Sequence, residues 1–310
     1  MKGLIIKLLF FLVLFLAFDK IFILVANRSA NAEADKRLEL LLNGRINKDL
    51  IIAGSSRGSR DIIASRIEEM TGLSSYNLCY PGSNVEFHEF VLRTLLEFNK
   101  PPRMILLVVD DDIEFLPNEK AIFRLDRLYP LVKYSYIRRE LIDIGEKDRF
   151  LSRLFVLHNL NKANFDLREK KFSSLDTIMD CGSMPVSFQR KDKSWDYDHA
   201  VRDYPLVLEQ ESKVKAFEKI IGYCTQKNIR LIIVFPPNYK NFSNSFEGRI
   251  RDLAGETATY FKYDSGNTVY TEKDFYYDQE HLIKKGAILF TDELIRFLNR
   301  LHPATGNDFQ

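Results

Sequence analysis

The sequence is short of whatever would staple a fold or hold a structural metal. Its 310 residues include three cysteines, Cys79, Cys181 and Cys224. That odd set has no C-x-x-C spacing, so one disulfide at most is possible and neither a zinc site nor a thiol redox motif is supported. Cys79 and Cys224 fall in apolar patterns and read as core residues. An excess of either charge is also lacking: 45 Lys and Arg face 43 Asp and Glu, a net +2, which gives no footing for nucleic-acid binding. No internal repeat or low-complexity run occurs, and no Pro/Gly linker marks a boundary between domains. With 45% hydrophobic and 28% charged residues, the chain is globular rather than disordered. The 24 Phe and 14 Tyr point to a large core.

A long apolar run does exist, at the N-terminus. Lys2 and Lys7 precede uninterrupted apolar sequence from Leu8 to Phe18, which resumes from Ile21 to Ala26 after Asp19-Lys20. As an uncleaved anchor, Leu4–Ala26 is 23 residues, long enough to span a bilayer. As a signal peptide, Leu8–Phe18 is the apolar region and Ala30-Asn-Ala32 resembles a cleavage site. Both readings export the body of the chain, with the N-terminus left in the cytoplasm by the positive-inside rule. The expected organisation is an anchor or signal segment over 1–27, a linker over 28–48 and an α/β domain over 49–302, with an insertion or cap at 115–203.

The α/β assignment comes from alternation. Buried strands are expected at Leu50–Ala53, Ser75–Gly82, Met104–Val109 and Arg230–Phe235, and a more polar edge strand at Ala258–Tyr263. Helical spacing of apolar residues falls between them, at 57–71, 87–99, 207–227, 243–254 and 284–301. Short links between strand and helix imply a five-stranded, mostly parallel sheet covered on both faces.

One stretch stands out chemically: Asp49-Leu-Ile-Ile-Ala-Gly-Ser-Ser-Arg-Gly-Ser59. Strand, glycine turn, serine and helix can lift a hydroxyl above a sheet edge into the field of a helix N-terminus; the same pattern also describes a plain turn with a serine cap. A nucleophilic serine needs a base. Of five histidines, His281 lies in Tyr276-Tyr-Asp-Gln-Glu-His-Leu282, just before the last helix and so at the carboxyl ends of the strands. Asp278 can bend back to hold its imidazole, although a surface-loop histidine would look the same. A second Asp-x-x-His, Asp196 to His199, has no strand end to place it. Asp110-Asp-Asp112 could hold a divalent cation, cap the next segment or be solvated. Arg57 and Arg60 read either as anion ligands or as solvated arginines.

Taken together, Gly54-Ser55-Ser56, Gly82 after the second strand, and Asp278-x-x-His281 before the last helix resemble the SGNH (GDSL-type) hydrolase superfamily. The likeness is to its membrane-anchored branch with Gly-Ser-Ser in place of Gly-Asp-Ser, which includes D-alanyl-lipoteichoic acid transfer and polysaccharide O-acetylation proteins. The resemblance implies a flavodoxin-like three-layer sandwich and acyl ester hydrolase or acyltransferase chemistry without a cofactor or metal. It implies Ser56 as nucleophile, His281 as base and Asp278 as its orienting acid, with Ser56 and Gly82 N–H groups in the oxyanion hole. It also implies an acyl donor or acylated cell-surface glycan as substrate, the cytoplasmic membrane as surroundings and a membrane O-acyltransferase as partner. The family ends its third strand in Gly-x-Asn-Asp; here Val108-Val-Asp-Asp-Asp112 lacks the Asn that donates to the oxyanion, and Asn84 is the expected substitute. The alternative is an inactive module that keeps the fold and serves as a binding or assembly partner of a membrane acyltransferase complex.

Overall fold

The computed structural model describes residues 2–110 and 113–301, so Asp111 and Asp112 of the acidic run lie outside the described residues. The N-terminal apolar sequence forms helices α1 (Lys2–Asp19) and α2 (Phe22–Ala32). Together they make a helical stretch of 31 residues, long and apolar enough to cross a membrane. At 1.5 Å per residue it is about 46 Å long, against a hydrocarbon core of about 30 Å. Helix therefore continues through residues 28–32, into the stretch expected as linker. The joint at Asp19-Lys20 is tightened by i→i+3 bonds, Lys20 N–H to Ala17 O at 3.2 Å and Ile21 N–H to Phe18 O at 3.0 Å. A short helix, α3 (Arg37–Leu42), comes next.

Strand β1 (Leu50–Ala53) is followed by α4 (Ser56–Asp61) and α5 (Ala64–Thr71), where periodicity predicts a single helix over 57–71. The break has a local cause. Ile62 and Ile63 are extended, as β-branched residues favour, and side chains satisfy the freed backbone. Ile62 O accepts from Ser183 Oγ at 2.9 Å and Ile63 N–H donates to Thr291 Oγ1 at 3.1 Å. Strand β2 (Ser75–Asn77) is shorter than expected, helix α6 spans Val85–Phe98 and β3 spans Met104–Val108. After four short helices, α7 (Leu125–Leu128), α8 (Ser135–Asp143), α9 (Arg149–Leu154) and α10 (Val156–Asn159), the alternation resumes. It runs through α11 (Glu211–Gln226), β4 (Arg230–Phe235), α12 (Asn244–Ala254), β5 (Ala258–Lys262) and α13 (Lys284–Leu301).

The five strands are all parallel, in the order β2-β1-β3-β4-β5. That is the doubly wound, flavodoxin-like order, whose crevice lies at the carboxyl ends of the strands. Burial explains why the central strands read as unbroken apolar runs. Leu50, Ile52, Met104, Leu106, Val108, Ile232 and Val234 pack with Ile67 of α5 and Phe290, Leu294 and Leu298 of α13. The alternate residues Ile51, Ile105, Leu107, Leu231 and Ile233 are equally buried and point to the other face by the pleat. On that side α6 packs on α11, and α11 on β4 and α12. β5 is an edge strand, with Ala258, Thr259 and Tyr260 half-buried, Phe261 buried and Lys262 exposed, which fits its polar sequence. Cys79 and Cys224 are buried and none of the cysteines is in a disulfide.

By internal packing the chain forms two compact units, 1–39 with 124–172, and 40–123 with 173–310. The stretch 115–203 is thus divided between them. In the first unit, Asp19 accepts the Val156 and Leu157 N–H groups at 2.7 and 2.9 Å, which caps α10. A buried Arg37–Asp35 pair joined by two side-chain bonds, at 2.9 and 2.7 Å, also lies there. The sheet makes up the second unit, and residues 181–186 are stitched into it. Met184 N–H donates to Ser59 O at 2.7 Å and Lys284 N–H to Val186 O at 2.7 Å.

Candidate active site

The turn after β1 is shaped by its glycine. Gly54 has φ +147°, and a Cβ there would stand 2.7 Å from Val108 O on the neighbouring strand, so a side chain is excluded. Ser55 occupies the N-cap position in extended conformation but makes no capping bond with its side chain. Ser56 is the first residue of α4, where backbone N–H groups lack intrahelical acceptors. Gly82 belongs to a turn closed by Ser83 N–H to Tyr80 O at 3.1 Å, with Pro81 second and Gly82 third at φ +71°. This is the arrangement that requires positive φ.

Ser56, His281 and Asp278, two of them 225 positions apart, form a continuous relay. Ser56 Oγ lies 2.8 Å from His281 Nε2, and His281 Nδ1 lies 2.8 and 3.0 Å from the two Asp278 oxygens. Asp278 Oδ1 also accepts the backbone N–H groups of Glu280 and His281, each at 2.9 Å. Burial would raise the Asp278 carboxyl, but the His281 ring and these two N–H groups hold it below the ordinary carboxylate range. An ionised Asp278 fixes the tautomer: Nδ1–H donates to the carboxylate, and Nε2 is left to accept from the serine hydroxyl.

Ser56 and His281 line a cavity of ≈ 380 Å³ whose walls come from the loops after all five strands. Asn84 is not in that wall. Its side chain caps α6, accepting Phe87 N–H at 3.1 Å and donating to Glu86 at 2.9 Å, so the expected substitution for the missing Asn is corrected: the amide is already spent on the helix start. Gly82 and Ser83 do line the cavity, as does Asp110 at the end of β3.

Asp110 is buried, and among the described residues its Oδ1 has no hydrogen-bond partner. Burial pushes its carboxyl up, against the opposing influence of the Arg57 charge and the Ser55 hydroxyl. Its N–H donates to Glu114 at 2.6 Å. Glu114 is itself pushed up to about 8 by burial and by the Asp110 charge. A third carboxyl, Asp61, is raised well above its ordinary range by burial, with Arg57 and Arg60 opposing. Three buried acids thus share the field of Arg57, with Arg60 acting also on Asp61 and Lys213 on Glu114, and cannot all ionise cheaply. Beside them His88, 2.8 Å from the Ser83 hydroxyl, is held neutral by burial, down to about 3.

Neither arginine of the serine turn is solvated. Arg57 is buried and donates to Pro236 O at 2.6 Å; the Arg60 side chain is 8% exposed and pairs with Asp176 at 3.3 Å. Both also line the cavity, together with Lys120, Lys240, Asp198 and Glu280. Asp196 and His199 form no comparable relay: Asp196 is exposed and pairs with Lys273 at 3.2 Å, while the His199 ring packs on Tyr197. Among the described residues no group of three or more His, Cys, Asp and Glu could hold a metal ion.

Sequence reasoning missed Asp61, which accepts Leu282 N–H at 3.0 Å. It reads as one more polar residue on a short helix, and only the fold brings it under the His281 loop. It also missed Lys120 and Lys240, whose loops carry no recognisable motif. Compared with models of known families and with curated proteins, the sequence matches none.

Proposed function

We propose that the protein is a serine-dependent acyl ester hydrolase or acyltransferase of SGNH type, acting outside the cytoplasmic membrane on an acyl donor or acylated cell-surface glycan. The observation that carries the chemistry is the relay from Ser56 Oγ through His281 to Asp278, opening into a cavity at the strand ends. The glycan, the extracytoplasmic site and a membrane O-acyltransferase partner are supported by the resemblance and by the N-terminal helix.

Ser56 Oγ attacks the acyl carbonyl while its proton passes to His281 Nε2. Asp278 keeps the ring oriented and stabilises the imidazolium. The Ser56 and Gly82 N–H groups hold the developing oxyanion. His281 then returns the proton to the leaving alcohol. Water, or an acceptor hydroxyl deprotonated by the same ring, releases the acyl group from Ser56. Asp110 and Glu114 are adjacent buried acids, and in the state where Asp110 holds the proton it donates to the oxyanion in place of the missing amide. A carboxylic acid kept neutral in an apolar site can serve this purpose.

The rival reading, an inactive assembly module, is favoured by that same carboxyl, since an ionised Asp110 would repel an oxyanion. A fluorophosphonate probe separates them. Labelling of the wild type, retained in Ser55→Ala and lost in Ser56→Ala, is the expected result. A folded wild type that takes no label overturns the enzyme reading in favour of the module.

A further inference from the structure

Helices α9 and α10 carry apolar side chains that are left exposed among the described residues. Phe150 is 68% exposed, Leu154 42% and Leu157 43%. Phe150 and Leu154 fall at i and i+4 on α9, extended Phe155 breaks the helix before Leu157 on α10, and the exposed Arg149 and Arg153 flank the α9 pair. The segment is tied to the N-terminal helix. Phe155 packs edge-on against Phe15 with ring centres 5.7 Å apart, and Asp19 takes the first N–H groups of α10. Phe15 is four residues before Asp19, about 6 Å along the helix axis. In-plane amphipathic helices sink about 5–10 Å into the boundary between headgroups and acyl chains.

We infer that α9 and α10 lie in the plane of the bilayer surface, with Phe150, Leu154 and Leu157 in the acyl boundary and Arg149 and Arg153 on anionic lipid headgroups. The inference rests on reading α1 as membrane-spanning. Lipid is the occupant because the face is continuous with the apolar helix: Phe155 joins it to Phe15, and Phe165 packs on Phe22 at 6.2 Å. This also accounts for an acid inside the apolar run, since Asp19 serves as the latch that holds the in-plane segment at one depth.

The test uses the full chain in liposomes of phosphatidylcholine, with and without phosphatidylglycerol. Trp195 is the single tryptophan, so Trp195→Phe gives a dark background for Phe150→Trp or, as a control in the anchor, Leu12→Trp. Both reporters are expected to be quenched by acyl-brominated lipid and protected from aqueous iodide, Phe150→Trp most strongly by bromine near the headgroup end. Adding Arg149→Glu and Arg153→Glu is expected to weaken quenching of the Phe150→Trp reporter in phosphatidylglycerol membranes. No effect would overturn the headgroup contact. If iodide quenches Phe150→Trp while bromolipid quenches Leu12→Trp, the in-plane placement is wrong and the anchor stands. If bromolipid quenches neither, the anchor reading fails and takes this inference with it.

Discussion

Asp61, the last residue of the helix that Ser56 begins, accepts the backbone N–H of Leu282, the residue after His281, at 3.0 Å. The nucleophile's helix and the base's loop are therefore joined by a hydrogen bond as well as by the Ser56–His281 contact itself. Asp61→Ala is expected to leave the Leu282 amide unsatisfied, at about 1–3 kcal/mol, and to slow fluorophosphonate labelling by loosening the His281 loop. Asp61→Asn keeps the acceptor and matches the neutral acid that burial favours, so it should restore both melting temperature and labelling rate. A variant in which Asn behaves no better than Ala would show that the negative charge, and not the bond to Leu282, is what matters.

Asp278 offers a cleaner test of the relay. Asp278→Asn preserves shape, yet its amide can present N–H to His281 Nδ1 and so favour the tautomer whose Nε2 cannot take the serine proton. In serine-histidine-aspartate enzymes this change costs about 10⁴-fold in turnover. A comparable loss in ester hydrolysis is expected with melting temperature little changed, measured on the same preparation. Retention of most activity would mean that the imidazole needs no orienting acid.

Much of this architecture is readable in the sequence, and unevenly so. The strands follow from apolar runs such as Met104–Val108, which are buried on both faces and therefore unmistakable in sequence, whereas their order in the sheet is a property of the fold. Gly54, Ser56 and the Asp278–His281 pair were legible because each is a local pattern at a strand end, and the parallel topology gathers such ends. What was illegible is non-local. The kink at Ile62–Ile63 depends on Ser183 and Thr291, far away in sequence. Asn84 looked like an oxyanion donor because its neighbour Gly82 is one candidate, while its capping bond to Phe87 is an equally local fact that the helix pattern already offered. The solvated reading of Arg57 failed because the fold buries it against Pro236 O, 179 positions away.

Glu114 makes stability depend on pH. Its folded pKa of about 8 exceeds the ordinary 4.5, so between those values the native state binds more protons than the unfolded one. Its contribution is fully present below about pH 4.5 and is lost as pH rises through about 8, with a limiting slope of about 1.4 kcal/mol per pH unit for one proton. Glu114→Gln keeps an acceptor for the Asp110 N–H and should flatten that alkaline decline in a denaturant series from pH 5 to pH 9. His88 acts in the opposite sense, since a buried neutral imidazole costs stability as pH falls below its ordinary 6.5. An unchanged alkaline slope in Glu114→Gln would place the extra native proton elsewhere.

Asp110 decides whether the site is competent. Facing it are the cation of Arg57, the His281 ring, and the acids Glu280 and Glu114. If the protonated carboxyl donates to the oxyanion, hydrolysis in the wild type declines toward alkaline pH as that proton is lost, because the same oxygen then repels the charge it had stabilised. Asp110→Asn supplies a donor at every pH, so it should keep activity near neutrality and remove the alkaline limb of kcat/KM. Asp110→Ala removes the donor, for an expected loss of about 10²–10³-fold. The contrast between the two variants carries the argument, since a purely structural carboxyl paired with Arg57 would be harmed by Asn and Ala alike. An Asn variant as impaired as Ala, or one that keeps the wild-type alkaline limb, would return Asp110 to the role of counter-ion and leave the oxyanion to the Ser56 and Gly82 amides alone.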